Sequence, residues 1–460
     1  MAKRHPELFV ERIDGTKSSY GIRQNFDITN AAYRYYSERI IRKMMEHFAR
    51  NPAIIGYQVD NETHNYGATN DNYFRGFVDY LKNKYKTTDT LNTLWGLNYW
   101  GITLNGWDIF PTRRSATNPS YKLEWDRYGI KAVADFITWQ ATIMEEYKRP
   151  DQFITHDFMG WLTSNDQLAA CQKLDMPSLN VYHGTQNEAT GDDVMWSDDF
   201  YRSVMKNNFL ITETNAQSIG WGSKGQYPPF DGQGRLFVYS HLAGGANMVE
   251  YWHWHSNHYG QETYWKGVLG HDLEPNRFYK EVSQTAHELQ KIGQKLVNLK
   301  IKNKTAILYS HDSDFGLSYM PFKDIASDWI EFIIPETAKS LAMYNDPFFG
   351  NYPAITENKY GKGSFIYEGC LITDEIQSKI IHNKGIELGL IIDNQLTYPI
   401  VMKNGINDQG KTIRYFLNYS DKEQAFVYYY TKGTDLPSDK TFKNGDHLSL
   451  KPWDILVVEE

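Results

Sequence analysis

The feature that most constrains this chain is an alternation. Five short apolar runs, residues 54–59, 153–160, 179–182, 209–214 and 248–255, read as strands, and most are separated by stretches with helical periodicity. Strands that alternate with helices imply a parallel sheet. Polar and aromatic residues gathered at successive strand ends point further, to a barrel whose site lies at that face. Within residues 29–50, Tyr33, Tyr36, Ile40, Met44 and Phe48 recur at helical spacing, with Asn30 placed to cap the helix and Pro52 to stop it. Residues 132–147 and 281–299 read as further helices.

At 460 residues the chain exceeds what one hydrophobic core normally holds. The spacing predicts a strand at 306–309, a turn at Gly361-Lys362-Gly363 and a helix at 374–383, together a small α/β region. From Tyr398 onward short β segments follow, at 413–417, 425–430 and 454–459, separated by turn residues. The expected division is a partial barrel over 1–303, a shortened α/β domain over 304–395 and a C-terminal antiparallel β-sandwich over 396–460.

Composition removes several classes of function. Lys plus Arg number 48 against 56 for Asp plus Glu, so no basic field exists to capture nucleic-acid phosphates. Two cysteines, Cys171 and Cys370, exclude a disulfide framework and a cysteine-based zinc site. The apolar runs are too short for a membrane helix, and the first ten residues carry no signal-peptide core. The compartment stays open, with the cytoplasm fitting the chain as written. Nucleoside-phosphate loops and the serine-hydrolase elbow are lacking.

Two carboxylates close predicted strands, Glu62 after Val59-Asp60-Asn61 and Glu213 within Ile211-Thr212-Glu213-Thr214. Paired acids over a barrel mouth suit glycoside hydrolysis, one giving a proton to the leaving oxygen and the other attacking the anomeric carbon. Asn61 is placed to hold a sugar hydroxyl, and Trp100, Trp221, Trp252 and Trp254 offer stacking faces. His253 and His255 would share a strand face, but without a third ligand at metal-site spacing they read as hydrogen-bonding residues, as do His64, His156 and His183.

Six segments resemble one family, the glycoside hydrolase family 42 β-galactosidases. Gly21-Ile22-Arg23-Gln24-Asn25-Phe26 is similar to its G-x-R-R-H-Y segment and Gln58-Val59-Asp60-Asn61-Glu62 to its acid/base motif. Leu91-Asn92-Thr93-Leu94-Trp95-Gly96 with Trp100, and Thr155-His156-Asp157-Phe158-Met159-Gly160, resemble L-N-x-x-W-G-x-x-x-W and T-H-N-F-M-G. Ile211-Thr212-Glu213-Thr214 with Trp221 resembles the nucleophile segment, and Trp252 to Glu262 the last barrel strand and its loop. The resemblance implies a retaining β-galactosidase, with Glu62 as acid/base and Glu213 as nucleophile of a covalent galactosyl intermediate. It implies that Arg23, Asn61, Trp100, Trp221, Trp252 and Glu262 shape the galactose subsite, and that Tyr182 hydrogen-bonds the nucleophile. By the same resemblance Glu62 holds its proton through a raised pKa while Glu213 stays ionised. The 304–395 region would be a trimerisation domain, so a homotrimer is expected beside the galactoside substrate, with no nucleic-acid or membrane partner.

The chain also departs from that pattern. Asp157 stands where the family has asparagine, Gln24-Asn25 replace Arg-His, and Trp265 stands where some members have histidine. Residues 63–73 lack the cysteines that bind zinc in part of the family, so no metal or cofactor is expected. Only five barrel strands are legible, which predicts an incomplete (β/α)8 barrel lacking roughly its first three strands. Pro321-Phe322 leads straight into residues 329–344, as if a segment were absent. Two other readings stand beside the first, an inactive remnant that at most binds carbohydrate and a retaining β-glycosidase for another sugar such as arabinose.

Overall fold

The computed structural model describes all residues except 22, 161–164, 304–305, 320–329 and 391–395. The junction at Pro321-Phe322 and Trp329, and position 22 of the first motif, therefore lie outside the described residues. By contacts the chain forms two compact units, Met1–Ile307 with Gln395–Glu460, and Leu308–Asn394.

The first unit is built on five strands, β1 (Gly56–Asn61), β2 (Phe153–Met159), β3 (Ser178–Val181), β4 (Phe209–Asn215) and β5 (Ala246–Trp252). They pair in parallel and in sequence order. Among the described residues β1 pairs only with β2 and β5 only with β4, so the sheet is the wall of an incomplete (β/α)8-type barrel. The middle of the wall is buried on both faces: besides the polar His156, Asp157 and Ser178, the apolar Ile154, Phe158, Leu179, Phe209 and Ile211 are fully buried. That is the pattern of a parallel strand covered on both faces, each such side chain contributing about 1.5–3 kcal/mol.

Helix α1 (Ala31–Phe48) precedes β1, and Asn30 caps it by accepting from the Ala32 and Tyr33 N–H groups. Its inward face is Ile41 and Met45, while Ile40, Met44 and Phe48 of the predicted stripe stay exposed. The adjacent pairs Ile40-Ile41 and Met44-Met45 lay two apolar stripes about 100° apart, and only one of them faces the core. Between β1 and β2 lie α2 (Asp71–Tyr85), α3 (Thr88–Trp95) and α4 (Pro119–Glu145). The last begins well before residue 132, with Pro119 in its first turn and Asn118 accepting from Ser120 and Tyr121 N–H. The rest of the order is α5 (Gln167–Ala170), α6 (Asp192–Met205), α7 (Gln233–Gly244) and α8 (Arg277–Ile292).

Much of the aromatic excess is core. Tyr73, Phe77, Trp95, Phe110, Tyr121, Trp125 and Tyr128 form a second cluster among α2, α3, α4 and the loops joining them. The Leu91-Asn92 to Gly96 motif belongs to it: Leu91 and Trp95 are buried, and Gly96 ends α3 in the left-handed conformation. The Asn92 carboxamide exchanges two 2.9 Å hydrogen bonds with the Leu104 backbone, closing the loop that carries Trp100.

Two strand expectations are corrected. β5 stops at Trp252, so His253 and His255 lie beyond it and share no strand face. Residues 306–309 form no strand; Ile307 and Leu308 are 76% and 98% exposed and have no ladder partner among the described residues. The chain pairs earlier instead, Lys300–Ile301 lying against Ile400–Ile406.

That pairing opens an antiparallel sheet that continues through Thr412–Asn418, Ile455–Glu459, Gly433–Asp435 and Thr441–Phe442, with Gln424–Tyr428 and Asp446–Leu450 as a separate pair. Its residues reach α7: Tyr419 and Ser240 hydroxyls are 2.6 Å apart, and Arg235 pairs with Asp454 at 3.0 Å. The second unit holds a three-stranded antiparallel sheet, Lys339–Met343, Pro353–Tyr360 and Gly363–Glu368, and the helix Asp374–Glu387. Gly361-Lys362 is the two-residue turn of its hairpin, Gly361 taking φ 58°. No described helix is long and apolar enough to cross a membrane.

Candidate active site

The two strand-end glutamates sit where the sheet departs from regular pairing. Along β1 the partners step from Gln58↔Thr155 to Asn61↔Asp157, one residue more on β1 than on β2. Along β4 they step from Leu179↔Ile211 to Asn180↔Glu213, again with one extra residue, Thr212. Bulges of this kind re-aim the side chains that follow. Asp60 and Glu62 both take positive φ, 50° and 48°, in the left-handed region. The Glu62 N–H donates to Asp157 O at 3.0 Å, which fixes the turned segment over β2.

The outcome is a tight acidic cluster. One carboxylate oxygen from each of Glu62, Asp157 and Glu213 lies within 4.8 Å of the other two. Protein donors are aimed into it. Tyr182 Oη donates to Glu213 Oε2 at 2.6 Å, and Thr212 Oγ1 to Asp157 Oδ1 at 2.5 Å. Asn180 donates through Nδ2 to Glu62 Oε1, and its Oδ1 accepts from the Gly160 N–H at 3.0 Å, which sets the orientation of the carboxamide. Gly160 is required there, since a Cβ would stand 2.9 Å from Asn180 O. Arg23 Nη2 approaches Glu62 Oε2 at 3.8 Å from a half-exposed position.

Crowding of acids shows in their protonation. Burial, then the neighbouring Glu213 and Glu62 charges, push Asp157 up to about 8 against the pull of the Thr212 hydrogen bond. Glu213 is raised as well, first by burial and then by the Glu62 charge, with the Tyr182 and Asp157 hydrogen bonds and Arg23 opposing. Tyr182 is held protonated by burial and by Glu213, so its hydroxyl serves as a donor.

The residues predicted from sequence are unequally placed. Glu62, Glu213, Tyr182 and Arg23 come together. Asn61 is adjacent, its backbone carbonyl accepting from Gln24 at 2.9 Å and its Oδ1 from Gln58 at 3.0 Å. Trp252 Nε1 donates to Glu262 Oε2 at 3.2 Å, so those two residues form a pair. Trp221 stands edge-on to Trp265, which stands edge-on to Tyr182 at 4.7 Å, linking it to the Glu213 side. Trp100 is 79% exposed, its ring tilted against that of Tyr99 at 5.4 Å. Trp254 is 60% exposed and touches Tyr279. Sequence reasoning missed Asn180 and Thr212; both lie on strands already recognised, Asn180 two residues before Tyr182 and Thr212 one before Glu213.

Of the histidines read as hydrogen-bonding, His253 departs from that expectation, its Nε2 being buried without a hydrogen-bond partner, while others are held by main chain. His156 Nδ1 is 2.5 Å from Val59 O, His64 Nδ1 3.0 Å from Glu62 O, and His255 Nδ1 3.0 Å from Ser256 O. Among the described residues the acidic trio is the one cluster of acidic, imidazole or thiol groups close enough to raise the question of a cation. Tyr182, Thr212 and Asn180 donors already point into it.

Comparison with known proteins identifies the family. Residues 1–292 match the family model described as β-galactosidase, and residues 301–391 that of the β-galactosidase trimerisation domain. β-Galactosidase BgaA of Clostridium cellulovorans is 30% identical over 328 residues, 69% of this chain and 49% of that protein. β-Galactosidase BgaB of Geobacillus kaustophilus is 28% identical over 318 residues, covering 68% and 47%. The chain thus spans about half the length of these curated relatives. The crystal structure of a β-galactosidase from Bacillus circulans sp. alkalophilus shares the fold, with a TM-score of 0.89 at 18% identity over 100% of this chain and 87% of that one. With the first model covering well over half of its length, the chain belongs to glycoside hydrolase family 42, the β-galactosidase family.

Proposed function

We propose that the chain is a retaining β-galactosidase that removes terminal β-D-galactosyl residues. The observation that carries the reading is the close approach of Glu62 and Glu213 oxygens, within 4.8 Å. Retaining glycosidases hold their carboxyl groups about 5–5.5 Å apart, whereas inverting ones leave about 6.5–9.5 Å for a water. Glu213 attacks the anomeric carbon while Glu62 gives its proton to the departing oxygen, which leaves as an alcohol. Glu62, now a carboxylate, then takes a proton from water, whose oxygen displaces Glu213 and releases galactose with retained configuration.

The surroundings support these roles. Tyr182 holds one oxygen of Glu213 in place, and Asn180 fixes the Glu62 carboxyl. Arg23, Asn61, Trp221 and the Trp252–Glu262 pair supply donors, acceptors and ring faces for the sugar, and Trp100 a face further out. The match of residues 301–391 to a trimerisation domain supports self-association of the chain, with a homotrimer as the reading. The test is hydrolysis of aryl β-galactoside, α-arabinoside and β-glucoside by the purified chain. A preference for the galactoside is expected; a faster arabinoside or glucoside reaction overturns the sugar assignment.

A further inference from the structure

Asp157 is the residue of the cluster that the double-displacement reading leaves without a role. It lies inside β2, fully buried, with a carboxylate oxygen within 4.8 Å of one from each glutamate. Its Oδ1 is occupied by the Thr212 hydroxyl, its Oδ2 is buried and accepts from no donor group, and the Asp157 and Glu213 carboxyls lie within hydrogen-bonding reach of one another. Three carboxylates within 4.8 Å of one another repel strongly when all are ionised, because each lies in a poorly solvated environment. A proton on Oδ2 would remove one charge and turn an orphaned acceptor into a donor. The groups facing Asp157 are Glu62, Glu213, Tyr182, Tyr201 and, through Glu213, Arg23. None of the three side chains closest to it is a cation.

We infer that Asp157 is a positioning residue that works as a neutral acid, donating a hydrogen bond toward Glu213 and thereby holding the two glutamates together. The inference rests on the glycosidase reading for its catalytic consequence but not for its protonation. In the protonated form Asp157 matches an asparagine in shape and in presenting a donor, so Asp157→Asn should reproduce it at every pH. Ionised, it adds a third negative charge beside Glu213. Burial and both glutamates put that change near pH 8.

Two measurements test this. The first is the pH profile of kcat/KM on an aryl β-galactoside for the wild type and Asp157→Asn. The two should agree within about threefold near pH 6, and one unit above the shifted value the wild type should fall about tenfold below the variant, because only about a tenth of Asp157 then keeps its proton. Superimposable profiles, or a variant inactive at every pH, would overturn the inference.

The second measurement reads the same proton without turnover, through Tm between pH 4 and pH 9. A folded-state value above the unfolded one means that the native chain binds more protons, so stability is lost as pH rises from the ordinary aspartate value through the raised one. The wild type should therefore lose Tm relative to Asp157→Asn between about pH 4 and pH 8, and the gap should then level off. A constant gap overturns the inference even in a fully active enzyme. A growing gap in a chain that hydrolyses nothing upholds the buried proton while removing the β-galactosidase reading. Repeating the scan with magnesium or calcium against EDTA closes the last route: a Tm raised by the metal in the wild type and not in the variant would mean that a cation, and not a proton, holds the three carboxylates, and would overturn the inference.

Discussion

The Tyr182 hydroxyl and Glu213 Oε2 are 2.6 Å apart, a short, charge-assisted hydrogen bond at the point where β3 and β4 end together. It fixes the carboxylate proposed as nucleophile and offsets part of the upward push that burial gives Glu213. Tyr182→Phe leaves the ring in contact with Trp265 but removes the donor. Losing a hydrogen bond to a charged group costs about 1.5–3 kcal/mol, so kcat should fall roughly 10- to 100-fold. Steady-state kinetics with near-normal KM would bear this out; an unchanged kcat would place the bond outside the reaction.

Removal of Glu62 should divide substrates by leaving group. Glu62→Ala takes away the acid, so poor leaving groups should lose rate far more than activated aryl ones, by a further 10²- to 10⁴-fold on the scale of general acid catalysis. Comparison of a dinitrophenyl galactoside with lactose measures it. Equal losses on both would count against the acid role.

Asn180 acts on the same carboxyl. With Oδ1 engaged by the Gly160 N–H and Nδ2 directed at Glu62, Asn180→Ala deprives both groups of a partner at once. The expected loss in kcat/KM is about tenfold, the value of one buried hydrogen bond near 1.4 kcal/mol. Asn180→Asp should be worse than alanine, since it sets a fourth acid beside the cluster; a milder effect than alanine would contradict the donor role.

The aromatic cluster governs stability and not chemistry. Phe77 is fully buried, with the rings of Trp125, Tyr121, Tyr128 and Phe110 at 4.8 to 6.0 Å. Phe77→Ala should cost about 3–5 kcal/mol in urea unfolding while leaving kcat of the folded fraction unchanged.

Much of this was legible in the residues. The alternation of apolar runs and helices located all five parallel strands, because core-facing side chains such as Val59, Ile154, Phe158, Leu179 and Ile211 recur along them. The glutamates were readable as strand-end acids. Harder to see was how they are aimed: a bulge at Val59-Asp60 or at Thr212 leaves no mark on hydrophobic periodicity, since it inserts one residue without changing composition. The same blindness hid Asn180, whose importance depends on Gly160 and Glu62, residues 20 and 118 positions away. Residues 306–309 failed in the opposite way, an apolar run without a sheet edge to join. In α1 the side-by-side pairs Ile40-Ile41 and Met44-Met45 showed the helix and concealed which stripe it buries.

The central claim is that Glu213 carries the galactosyl group while Glu62 moves the proton. Its most direct measurement is mass spectrometry of the chain incubated with an activated 2-deoxy-2-fluoro-β-galactoside, followed by peptide mapping. The account predicts a single fluorogalactosyl adduct on the peptide containing Glu213, absent from Glu213→Gln. An adduct on another residue, or turnover of the parent galactoside by Glu213→Gln at the wild-type rate, would contradict it.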